Sequence, residues 1–139
     1  MTTTPPPTAL RGALGVWLAL GVFGLVNVLY LWVRRDALRE SALRDGIAPA
    51  DQIDSTVTTL VVRLTVAALL FAGAYALFAL MLRRGRRSAR VALTVIAGLH
   101  LLWVVLPGVS AANLVTVLLI AIGLALTWRP VTAHWLKEQ

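Results

Sequence analysis

Three polar side chains stand out because each lies within a run of apolar residues: Asn27, Arg63 and His100. An ionisable group in hydrocarbon is costly, so Arg63 and His100 are functional candidates by position alone. Arg63 lies six residues after Val57, His100 six before Leu106 and Asn27 six before Val33. At 1.5 Å per residue, each sits roughly 9 Å from the same end of its apolar run. Thr59, Asn113 and Thr116 fall near that level. Gly24 and Ala67, each about a turn from a polar residue, would let two helices approach closely there. The expectation is a polar cluster of Asn27, Arg63 and His100 inside a helical bundle, on its outer-leaflet side.

Such a cluster would seek anions. No Asp or Glu lies within any apolar run, so the Arg63 guanidinium has no counter-ion at its own depth. A lipid phosphate or a ligand carboxylate would complete it. Asp54 or Glu40 folding over from the neighbouring charged segment would do so with less novelty. The plainer alternative is that Arg63 snorkels to the headgroups and His100 is a hydrogen-bonded core residue.

Other chemistry is poorly served. The chain has no cysteine, which excludes disulfides, thiolate metal sites and thiol redox chemistry. Its two histidines, His100 and His134, stand alone on different levels, so neither a metal site nor a Ser/His/Asp arrangement can be assembled. Small multidrug-resistance pumps match this size, but they carry a glutamate within their first span, and none is present here. No catalytic residue, cofactor or metal is therefore expected.

The elements that must hold these residues are read from hydropathy. Hydrophobic residues make up 59% of the 139 and charged residues 14%, against roughly a quarter charged in a soluble domain. The expected fold is all-α, a polytopic antiparallel four-helix membrane bundle. Residues 1–10, with Pro5-Pro6-Pro7, read as a disordered tail. Arg11 to Val33 is long enough to span a bilayer and, lacking a cleavage site, reads as a retained first span with Tyr30 and Trp32 as interfacial anchors. Residues 34–56 hold five of the six acids and read as helix 1 continuing out of the membrane, or lying on its surface, to about Asp45, stopped at Gly46 and Pro49. There Asp51 and Asp54 are expected as capping and dipole partners of the next helix. The remaining spans are expected at 57–82, 91–106 and 111–128, the last capped by Ser110 after the Pro107-Gly108 turn. Residues 129–139 should form an amphipathic turn on the membrane surface, with Val131, Trp135 and Leu136 on its apolar face.

Between the middle spans lies Arg83-Arg84-Gly85-Arg86-Arg87-Ser88-Ala89-Arg90. Together with Arg11, Arg129 and Lys137 it puts eight basic residues on the side of the termini, against Arg34, Arg35, Arg39 and Arg44 on the other. Because lysine and arginine dominate orientation, both termini are expected in the cytoplasm of a plasma-membrane protein. Arg83, Arg84, Arg86, Arg87 and Arg90 become candidate contacts for anionic lipid. The net charge of +7 is thereby explained without nucleic acid.

The Thr2–Thr8 tail, the charged 34–56 connection, the Arg-Gly-Arg link and the Trp128-Arg129-Pro130 stretch with Trp135 give the chain a likeness to known proteins. It resembles a group of uncharacterised small four-span membrane proteins of actinobacteria, although the aromatic usual near Ser88 is missing. The resemblance implies the fold and no activity. The expected role is an accessory or scaffold subunit of a larger envelope complex, or a homo-oligomer, using small-residue faces such as Gly15/Ala19 and Ala72/Ala76/Ala79. The alternative is a small-solute or lipid carrier built on the polar cluster.

Overall fold

A computed structural model describes residues 5–108 and 110–138, and among them the chain is all-helical. Six helices follow in order: α1 Thr8–Val33, α2 Arg35–Arg44, α3 Ile53–Arg83, α4 Arg87–Val105, α5 Ala111–Thr127 and α6 Pro130–Lys137. Helices α1, α3 and α4 are each long and apolar enough to cross a membrane. A fourth such span exists if α5 and α6, bent by 51° at their break, are counted as one. At 17 residues α5 alone is roughly 26 Å long, just short of the hydrocarbon core.

Each helix buries one stripe. On α1, Leu10, Ala13, Trp17, the adjacent Leu20 and Gly21, and Val28 fall on one helical face and are buried. Leu18, Val22, Val26, Leu29 and Val33 face out. That is the arrangement expected when lipid is the outer solvent. The cross-helix pairs give the layout. Trp17 stacks on Tyr75 and Trp32 bonds Thr65, so α1 and α3 run in opposite directions. Trp17 also bonds Thr127 of α5, α4 packs on α3 through His100, and α5 on α4 through Trp128 and Asn113.

Several boundaries differ from those expected. Pro5–Pro7 are non-helical, but α1 begins at Thr8 with Pro7 as its cap, and Leu10 is fully buried. The tail expected through residue 10 therefore stops at 7, residues 1–4 lying outside the described residues. The basic link is also shorter. Arg83 closes α3 and Arg87–Arg90 form the first turn of α4, leaving only residues 84–86 between helices. Gly85, at φ +78°, makes that possible: Arg86 N–H reaches Met81 C=O and Gly85 N–H reaches Leu82 C=O. This is a helix stop in which a side chain at the left-handed position would be strained.

Helix α2 carries on along α3 in the direction set by α1, its pairs following Trp32–Thr65 with Arg35–Thr58 and Arg39–Asp54. After a one-residue break at Arg34 it lays Leu38 and Ala42 against Ile53, Val57 and Val61 of α3. Arg39 pairs with Asp54 at 3.3 Å, and Arg35 donates to Thr58 at 2.7 Å. Gly46 ends α2 as expected; Gln52 rather than Asp51 occupies the cap of α3, without a side-chain bond, while Asp54 does lie in the first turn, where a carboxylate suits the helix dipole. Ser110 does cap α5, accepting from the Asn113 N–H at 3.2 Å.

The C-terminal helix corrects the surface-helix expectation. Trp135 and Leu136 are buried in the main core with Leu10, Trp17 and Leu82. Only Val131 of the supposed apolar face is exposed.

Candidate functional site

The bundle has two packed regions with a poorly filled level between them. One core joins Leu10, Trp17, Tyr75, Leu93 and Ile120 at the end holding the termini. The other joins Ala42, Ile53, Val57 and Val61 at the α2 end. None of residues 62–74 of α3 is buried, although Val61 and Tyr75 are. The cause is side-chain volume. Gly21 and Gly24 of α1 face Ala67, Ala68 and Ala72 of α3, and these small residues leave space that neighbouring helices do not fill. Gly21 is used for contact, since a Cβ there would lie 3.3 Å from Ala72 Cα. At Gly24 a Cβ would meet nothing within 4 Å.

The result is a cavity of about 490 Å³ bounded by α1, α3, α4 and α5. That is ligand-sized, within the roughly 300–1,000 Å³ typical of small-molecule sites. Asn27, Arg63 and His100 all line it, as do Asn113 and Thr116, whereas Thr59 does not. The cavity reaches the surface beside Leu60, Arg63, Leu106 and Pro107, which are all exposed.

The three candidate residues are differently placed. His100 stacks on Phe71 at 4.1 Å between ring centroids and shares a 2.9 Å hydrogen bond with the Tyr75 hydroxyl. It forms an aromatic floor rather than a partner for Arg63. Arg63 and Asn27 have no hydrogen-bond or ion-pair partner among the described residues. Asp54, expected as a possible counter-ion, is engaged with Arg39. Arg63 is the single charged side chain on the lining apart from any charge on His100, and no carboxylate lines the wall.

Of the remaining polar walls, Asn113 spends its amide hydrogens on the carbonyls of Val104 and Gly108, at 3.1 and 2.8 Å. Thr116 donates to Ala112. Among the lining residues, side-chain donors without a partner thus remain on Arg63, Asn27 and the Trp103 indole, and Arg63 alone carries charge among these three. Sequence reasoning passed over Phe71 and Tyr75. Their signal was present as Arg63, Ala67, Phe71 and Tyr75, one residue every four along a single face of α3.

The basic end divides in two. Arg83, Arg84 and Arg86 are exposed. Arg87 donates from Nε to the Leu136 carbonyl and from an Nη to that of Lys137, both at 3.0 Å, so it closes the C-terminus of α6. Arg90 lies over the Trp128 ring, 4.0 Å from its centroid. These two arginines hold α5 and α6 to the bundle. Arg87→Ala is expected to destabilise the docked α6 by about 1–2 kcal/mol, the loss of two charge-assisted bonds at a partly exposed site. Hydrogen exchange should then quicken across residues 130–137 and not in α1; unchanged protection of α6 would show that Trp135 and Leu136 alone hold it.

The small-residue faces also separate. Ala72 and Ala79 pack inside the bundle, while Gly15 and Ala19 remain exposed on α1. Among the described residues no three His, Asp or Glu side chains come together. No protein-family model matches this chain, and no curated protein or solved structure resembles it at a significant level.

Proposed function

We propose that this chain is a non-enzymatic integral membrane protein of four antiparallel spans that holds a small amphipathic molecule within its bundle, as a carrier or reservoir. The supporting observation is the cavity of about 490 Å³, apolar along most of its wall, with Arg63 and Asn27 on the lining and Tyr75 bonded to His100 further along it. Such a space is about three times the engineered cavity of about 150 Å³ that admits benzene. In this reading α5 is the fourth span and α6 folds beneath it. The termini and the 84–86 link lie in the cytoplasm of the plasma membrane, where Arg83, Arg84 and Arg86 attract anionic lipid at about 1 kcal/mol each. The likeness to small actinobacterial four-span proteins belongs to the same proposal.

Filling the cavity is the test. Gly24→Leu puts a branched side chain where a Cβ meets no atom within 4 Å, so folding should survive. Native mass spectrometry should show a small amphiphile retained by the wild-type protein and at least tenfold less on the variant. Equal retention would place any bound molecule elsewhere.

A second reading, an accessory subunit or homo-oligomer, is favoured by Gly15, which is exposed and where an added Cβ would meet nothing within 4 Å. A backbone left open in this way suits close approach by another helix. Gly15→Leu should then abolish co-purification of the partner or the second copy in mild detergent. A wild-type protein recovered only as a monomer after cross-linking would remove this reading.

A further inference from the structure

We infer that the cavity is a site for a single-chain amphiphile with an anionic head, the head at Arg63 and Asn27 and the chain running towards Tyr75. This rests on the ligand-holding reading above and names its chemistry. Three observations converge. The first is charge: Arg63 brings up to five N–H donors to the lining, Asn27 adds a carboxamide, and neither is used by another described residue. Three of the four arginines on the α2 side behave otherwise, Arg44 being the exception. Arg34 donates to Tyr30, Arg35 to Thr58, and Arg39 pairs with Asp54. Arg63 is left facing a cavity with no acid on its wall, so an anion is the complementary occupant.

The second observation is polarity along the length. Below Arg63 the α1 and α3 walls are Gly24, Gly21, Ala67, Ala68, Phe71 and Ala72, with no free donor or acceptor side chain. The polar pair at the far end, Tyr75 and His100, satisfies itself through its 2.9 Å bond. A charged head followed by hydrocarbon matches this order; a uniformly polar solute would lose its hydration without replacement.

The third is shape. From Arg63 to Tyr75 is twelve residues along α3, roughly 18 Å. A volume of about 490 Å³ spread over that length accommodates one extended alkyl chain and not two side by side. Exposed Arg63 and Leu60 sit where the cavity meets the surface, so the head stays at the mouth while the chain enters.

The experiment measures binding of tritiated dodecanoate to the full chain in phosphatidylcholine nanodiscs, with empty discs as background. The wild-type protein should bind saturably, one molecule per chain. Arg63→Gln should weaken binding at least tenfold, Arg63→Lys should restore part of it, and Arg44→Gln, at an exposed position of α2, should leave it unchanged. Dodecyl phosphate should compete as well as dodecanoate, and dodecanol at least tenfold less well. Equal competition by dodecanol, or full binding by Arg63→Gln, would overturn the anionic head while leaving the cavity intact. Displacement by phosphatidylglycerol but not by dodecyl phosphate would overturn the single chain. If Gly24→Leu binds dodecanoate as tightly as wild type, the cavity itself is not the site and both readings fall.

Discussion

Trp17→Ala is expected to lower stability by about 3 kcal/mol, the low end of the range for losing a buried tryptophan. The side chain is fully buried and joins α1 to α3 and α5. Its ring stacks on Tyr75 of α3 at 5.2 Å and 18°. Its indole N–H donates to Thr127 Oγ1 of α5 at 3.0 Å, and that hydroxyl donates onward to the Gly123 carbonyl at 2.7 Å. In the membrane reading proposed above, an unpacked span would still sit in lipid, so the transfer part of the loss is small and the packing part remains. Thr127→Val should cost only about 1 kcal/mol, as for other hydrogen bonds between spans. Gly123→Ala approaches from the other side: its Cβ would lie 3.0–3.2 Å from the Trp17 ring, an overpacking of about 1–3 kcal/mol. Reversible unfolding in detergent or bicelles would rank the three. A Trp17→Ala protein within about 0.5 kcal/mol of wild type would mean that this junction does not hold the bundle together.

The second large effect is all-or-none. The chain has no cysteine, so a single introduced thiol reports on topology without background. The Arg86→Cys protein should react with a membrane-impermeant maleimide only after the membrane is opened. The Gln52→Cys protein, altered at an exposed position between α2 and α3, should react in intact cells. Glu138→Cys should behave like Arg86→Cys if α5 crosses the membrane, and like Gln52→Cys if it does not. That last position separates four spans from three, a choice that turns on the 17 residues of α5 and the 51° bend to α6. Arg86→Cys labelling in intact cells would invert the orientation drawn from eight basic residues against four.

Much of this architecture is legible in the sequence because it depends on local composition. Gly46 and Ser110 mark helix ends through backbone freedom and a side-chain oxygen, and both act as expected. The link at 83–90 is shorter than its charge suggests because arginine is a good helix former, so Arg87–Arg90 simply begin α4. The C-terminal segment differs in placement. Its pattern of Val131, Trp135 and Leu136 cannot say whether an apolar face meets lipid or protein, and Arg87 helps to decide for protein. Asn27, Arg63 and His100 do line one space, but His100 is diverted by Phe71 and Tyr75.

By itself the sequence determined where the helices are, that their surfaces suit hydrocarbon, and that no thiol or intramembrane carboxylate is available for chemistry. These follow from residue type and spacing along one chain. Tertiary structure decided which small residues face one another, and hence that Gly24, Ala67 and Ala68 leave a cavity rather than a tight seam. It also decided that Asp54 belongs to Arg39 and Arg63 to no carboxylate. Both depend on how each helix is rotated about its axis and how α2 packs along α3, and those are set by contacts between residues distant in the chain.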